Sequence, residues 1–130
     1  MSILIGGTGE WSDTLNAQLL QRGIRPFRVA TEPEIRALLP RLKPAVTILG
    51  PGLADHEVVH CFVDARDTVP SSRVLVAIDG TDLEFARDLM AIGVPFLAVV
   101  PNSLTALLAE AVMVENAANH AYEADVQVSA

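Results

Sequence analysis

Two stretches of this chain combine residue types and spacings that could do chemistry. His56-Glu57-Val58-Val59-His60 reads H-E-x-x-H. On a helix, two histidines four residues apart share a face and can hold zinc, with the glutamate between them as general base. A catalytic zinc needs a third protein ligand, and Val63 and Arg66 stand where a G-x-x-H continuation would fall. Glu84 is another acid to consider, but its place three residues after Thr81 assigns it to a capping box. The structural alternative is a helix with its polar side in water and Val58, Val59 and Phe62 on the core.

The second stretch is Gly6-Gly7-Thr8-Gly9, a turn of the kind that presents backbone N–H groups to a small anion or nucleotide. Ser12 occupies the place of the third glycine of the dinucleotide fingerprint, and Glu32 is near where a ribose-binding acid belongs. Glu10 and Asp13 put acidic groups in the helix's first turns, where they would repel a phosphate. Cys61 falls among apolar residues and reads as a packed thiol. Trp11, the only tryptophan, follows the glycine turn; it can wall a pocket, with core packing as the default.

These residues must be carried by something, and apolar patterning says what. Pro44-Ala-Val-Thr-Ile-Leu-Gly-Pro-Gly52 is a short, almost wholly apolar run closed by turn residues, which fits a strand buried on both faces. Ile3–Ile5, Phe27–Ala30, Val74–Ile78 and Phe96–Val100 are four more strands. Arg25, Pro26 and Arg28 around the second of these place it at a sheet edge. Helical patterns fill the intervals: Glu10–Arg22, a helix opened by Thr31 with Glu34, Asp55–Thr68, a helix opened by Thr81 with Glu84, and Leu104 to about Tyr122. Alternating strands and helices with short connections predict a doubly wound, flavodoxin-like parallel sheet of order 2-1-3-4-5. The domain is expected to span 1–123, with 124–130 a loose tail or the start of a linker.

Composition narrows the function. Nine Lys and Arg against 16 Asp and Glu give −7, which argues against direct nucleic-acid binding. No apolar run is long enough for a membrane span, no export signal is apparent at Met1-Ser2-Ile3, and a lone cysteine suits a cytoplasmic protein.

The pattern resembles the receiver domains of bacterial two-component response regulators, including CheY-like proteins. Gly93-Val-Pro-Phe-Leu-Ala-Val-Val-Pro101 matches in length the receivers' G-A-x-x-Y-L-x-K-P run, and Lys43-Pro44 corresponds to their Pro-Asp before the third strand, with the proline kept. The resemblance implies a site at the strand ends, and there the residues depart from it. Gly7 and Thr8 stand where receivers place a magnesium-binding acid pair, and Gly50 where they place the phosphate-accepting aspartate. Ile78 or Asp79 takes the Thr/Ser position, and Val100 that of the lysine. Glycine and valine supply neither metal ligand nor nucleophile, so a pseudo-receiver without cofactor, metal or catalytic residue is expected.

The final helix is apolar on more than one stripe. Leu104, Leu107, Leu108, Ala111 and Val112 suffice to face the sheet, which leaves Ala106, Ala109, Met113 and Ala117 as an interface. In receivers the fourth helix, fifth strand and fifth helix form a common dimer face, so a homodimer through this helix is expected, or a contact with a protein partner or downstream domain. Three functional readings follow: a non-phosphorylatable protein-interaction module, a small-anion or nucleotide sensor at Gly6–Gly9, and a zinc hydrolase using His56, Glu57 and His60.

Overall fold

Five strands and five helices alternate along the chain in the computed structural model, which describes residues 2–129, with side-chain surroundings described as far as Asn119. The strands are β1 (Ile3–Gly6), β2 (Phe27–Val29), β3 (Val46–Leu49), β4 (Arg73–Asp79) and β5 (Phe96–Val100). The helices are α1 (Glu10–Gln21), α2 (Glu32–Leu42), α3 (Asp55–Thr68), α4 (Leu83–Ala91) and α5 (Leu104–Ser129). All neighbouring strands run parallel, in the expected order β2-β1-β3-β4-β5.

The sheet separates two apolar layers because successive strand residues point to opposite faces. Ile3 and Ile5 of β1 meet Leu15 and Leu19 of α1 and Leu107, Leu108 and Ala111 of α5. Leu4, between them, meets Ile35 and Leu39 of α2 with Cys61 and Phe62 of α3, in the layer that Phe85 and Leu89 of α4 complete. Each fully buried leucine or isoleucine contributes about 1.5–3 kcal/mol. β3 lies in the middle with all four residues buried; Thr47, its one polar side chain, shares a 2.9 Å hydrogen bond with the Ser72 hydroxyl. β2 is the exposed edge anticipated from its charges, and Arg28 is tied back to Asp13 and the Ser12 hydroxyl of α1.

The helix starts differ in detail from expectation. At α2, Thr31 Oγ1 donates to Glu34 Oε1 at 2.8 Å, a capping pair made between side chains. The expected box at Thr81 and Glu84 is corrected. Asp82 is the N-cap of α4, its Oδ1 accepting from the Phe85 N–H at 3.3 Å. Thr81 is drawn backwards instead, its N–H and hydroxyl both donating to Asp79 Oδ1 at 3.0 Å. An ionised carboxylate two residues upstream competes well for these donors, and Asp82 is as good a cap one position later.

Helix α5 also runs past Tyr122 to Ser129; no glycine or proline interrupts residues 102–129. Its sheet-facing stripe is Leu104, Leu107, Leu108, Ala111 and Glu115, with Val112 half-buried. Among the described residues, no helix is long and apolar enough to cross a membrane.

Candidate functional site

In an open parallel sheet the carboxyl ends of the strands form the natural crevice. Here two loops meet there: the β1–α1 turn (Gly6 to Gly9) and the β3–α3 turn (Gly50 to Gly52). They are bonded to each other. The Thr8 N–H donates to Pro51 O at 3.0 Å and the Gly50 N–H to Gly6 O at 3.0 Å. The Gly7 N–H is likewise taken, by Val29 O at 3.1 Å. The glycine turn thus spends the N–H groups of Gly7 and Thr8, which an anion would need, on its own backbone neighbours.

Trp11 closes what remains. Its indole Nε1 donates to Thr8 O and Pro51 O, each at 3.0 Å, and the side chain is 7% exposed. The ring lies so close over Gly50 that a Cβ there would come within 2.6 Å of the ring carbon Cζ2. Gly52, at φ +101°, is equally confined, since a Cβ would sit 2.4 Å from Thr8 N. Val100 joins Trp11 and Leu104 in the α1/α5 layer, 8% exposed. Ile78 is buried in the opposite layer, and Asp79, at the end of β4, is held below the usual carboxylate range by the Thr81 N–H and then its hydroxyl. Beside the β3–α3 turn, on the side of α3 and α4, is a recess of about 220 Å³ whose walls include Asp55, Asp79 and Asp82. Such walls repel an anion.

No protein-family model matches the sequence, and among curated proteins no match is found. Solved structures do match. The signal receiver domain of a protein described as a Luxo repressor from Vibrio parahaemolyticus superposes with a TM-score of 0.71 at 16% identity, covering 95% of each chain. A CpaE2 pilus assembly protein from Sinorhizobium meliloti gives 0.62 at 16% identity, over 88% of this chain and 98% of that one. The beryllofluoride-activated NtrC4 receiver domain dimer gives 0.67 at 21% identity, over 85% and 96%. The chain has the receiver fold.

On the receiver fold, the six positions expected to be degenerate fall around one crevice or next to it. Gly7, Thr8, Gly50, Asp79 and Val100 surround Trp11 or the adjacent recess, while Ile78 turns into the core. From the sequence, Trp11 could wall a pocket, with core packing as the default; its seat between the two turns was not foreseen. The signal that could have found its role is the pair of glycines, Gly7 and Gly50, one in each turn, where a Cβ would come within 2.9 and 2.6 Å of the ring.

The H-E-x-x-H residues lie on α3 as expected, but Glu57 and His60 have partners outside the motif. Glu57 Oε1 accepts from the Ala54 N–H at 2.8 Å, capping its own helix. His60 Nδ1 lies 3.1 Å from Glu32 Oε1 of α2, and the two imidazoles meet edge to face with centroids 5.8 Å apart. Glu84, released from capping, borders the same surface recess as His56, with Asp55, Asp82 and Asp88. Among the described residues no three His, Cys, Asp or Glu side chains converge as metal ligands. Partial desolvation, then the neighbouring Asp82 and Asp88, raise the Asp55 carboxyl above its ordinary value. Cys61 is fully buried, and burial followed by the nearby Glu32 pushes its thiol up to about 12. It is a packing residue.

Of the interface residues, Ala106, Ala109 and Ala117 are exposed and Met113 is 58% exposed. On α4, Leu83 and Met90 are 66% and 67% exposed, two turns apart on one stripe.

Proposed function

We propose that this domain is a non-phosphorylatable pseudo-receiver: a cytoplasmic, non-catalytic signalling or localisation module that works through protein contacts and associates with itself through α5. The observation that carries this reading is Trp11, seated against Gly50 with its N–H bonded to both surrounding turns. A phosphoacceptor needs a carboxylate, a metal ion and space for an incoming phosphoryl group. At these positions the chain offers a glycine, no acid pair and an indole ring.

Supporting the interaction half are the exposed Ala106, Ala109, Met113 and Ala117 of α5. Burying apolar surface stabilises by about 25 cal/mol per Å². A strip of roughly a few hundred Å² per partner then favours a reversible, micromolar dimer over an obligate one. The fold neighbours include a receiver dimer and a pilus assembly protein, contexts compatible with this role.

Acetyl phosphate, or beryllofluoride with magnesium, should leave both the intact mass and the melting temperature unchanged. A gain of one phosphate would overturn the reading. Sedimentation at about tens of micromolar should show a dimer that Met113→Glu dissolves into monomers. A wild-type chain that remains monomeric there would refute the α5 contact.

A further inference from the structure

The ring of Trp11 that blocks the crevice from within also floors a groove on its outer side. That groove holds about 510 Å³ between the start of α1, Pro51 and the β5–α5 connection. Its apolar part is Trp11, Pro51, Val100, Pro101 and Leu104; its acidic part is Glu10 and Asp79. Thr8, Gly9 and Thr14 complete the lining, and no lysine or arginine borders it. Where the receiver resemblance calls for a lysine, the chain ends β5 with Val100, so no cation of its own reaches these acids from that position.

An apolar floor of this size with a few polar groups on its rim is the usual form of a binding cleft, and the charge of the rim selects the occupant. We propose that this groove receives a basic side chain, lysine or arginine, flanked by apolar residues and presented by a partner protein. The alkyl stem would lie along Val100, Pro101 and Leu104 while its charged head meets Glu10 and Asp79. Asp79 stays ionised for this role, because both Thr81 donors favour its charged form. Protein partnership is taken from the proposed function, but the site is separate from the α5 strip. Its occupancy and the dimer are therefore read by different measurements.

Trp11 is the only tryptophan, so its emission reports the groove directly. The full chain is titrated with the peptide acetyl-Gly-Leu-Lys-Leu-Gly-amide, and with versions carrying norleucine or glutamate in place of lysine. The lysine peptide should give a saturable emission change, weakened by added salt. The norleucine peptide should bind about tenfold more weakly and the glutamate peptide more weakly still. Asp79→Asn and Glu10→Gln should each weaken the lysine peptide by about three- to tenfold. Thr14→Arg, which supplies a cation from the groove's own wall, should block it. Unchanged far-ultraviolet circular dichroism and cooperative melting establish that each variant is folded. Equal binding of all three peptides, or no emission change with any, would overturn the proposal. So would tighter binding of free hexylamine than of the lysine peptide, because the occupant would then be a small amine and not a protein segment.

Discussion

Gly50 is the residue on which the proposed non-phosphorylatable reading turns. An aspartate placed there would not fit the present turn, because its Cβ would meet Trp11 Cζ2 at 2.6 Å. Gly50→Asp should therefore destabilise the fold by about 3 kcal/mol in urea titration, and in a Trp11→Ala background the same change should cost much less. Additive costs would mean that ring and backbone do not oppose each other. Cys61 makes a second expectation at this scale. A fully buried thiol with its pKa raised to about 12 should not react with Ellman's reagent until the protein unfolds. Asp55 gives a third. Its folded value is raised, so ionisation destabilises the folded state as pH climbs through that value. Asp55→Asn should then stabilise at pH 7 by less than about 1 kcal/mol, given its exposure, and the gain should vanish on acidification once Asp55 is protonated in both states. The place of Gly50 and Val100 at the carboxyl ends of β3 and β5 was legible in the sequence, since each closes a short apolar run. Trp11's seat was not, because it depends on the ring reaching Pro51, 40 residues further along the chain.

At the scale of elements, the strands and their order could be read because each apolar run was short and bounded, and each interval carried a helical stripe. Helix starts were less legible wherever two acceptors lay within three residues. Asp79 and Asp82 both compete around Thr81, and only the fold decides that Asp79 takes Thr81 while Asp82 caps α4. Helix α2 ends on Lys43 in the left-handed region at φ 45°, a conformation glycine adopts more easily. Lys43→Gly should raise the urea midpoint, corresponding to about 0.5–1 kcal/mol, because it relieves strain at a C-cap that contributes no side-chain contact to the core. A lowered midpoint would place the lysine's own packing above its backbone cost. In α5, Glu115 is 5% exposed, and its Oε2 has no hydrogen-bond partner among the described residues. The helix phase puts this acid on the same stripe as Leu104, Leu107, Leu108 and Ala111, a burial its charge does not suggest.

Considered as a whole molecule, the domain packs two layers on its sheet and ties the β1–α1 and β3–α3 turns together across Trp11. The sheet separates the α1/α5 layer from the α2/α3/α4 layer, so substitutions in the two should combine almost additively. A Leu107→Ala and Leu89→Ala pair should cost about the sum of the single losses, each about 2–5 kcal/mol, provided the double variant remains folded enough to titrate. Coupling above about 0.5 kcal/mol would show that strain crosses the sheet. The tryptophan seat also limits what a single substitution can do. A change of Gly50 to aspartate meets the ring at once, in a chain whose Gly7, Thr8 and Val100 supply neither a carboxylate pair nor a lysine beside it. The ring would have to leave first, giving up its two hydrogen bonds and its packing with no activity in return. The seat therefore works as a latch: one substitution at these turns disturbs the ring before it can add any chemistry, whereas exposed positions can change one at a time at little cost.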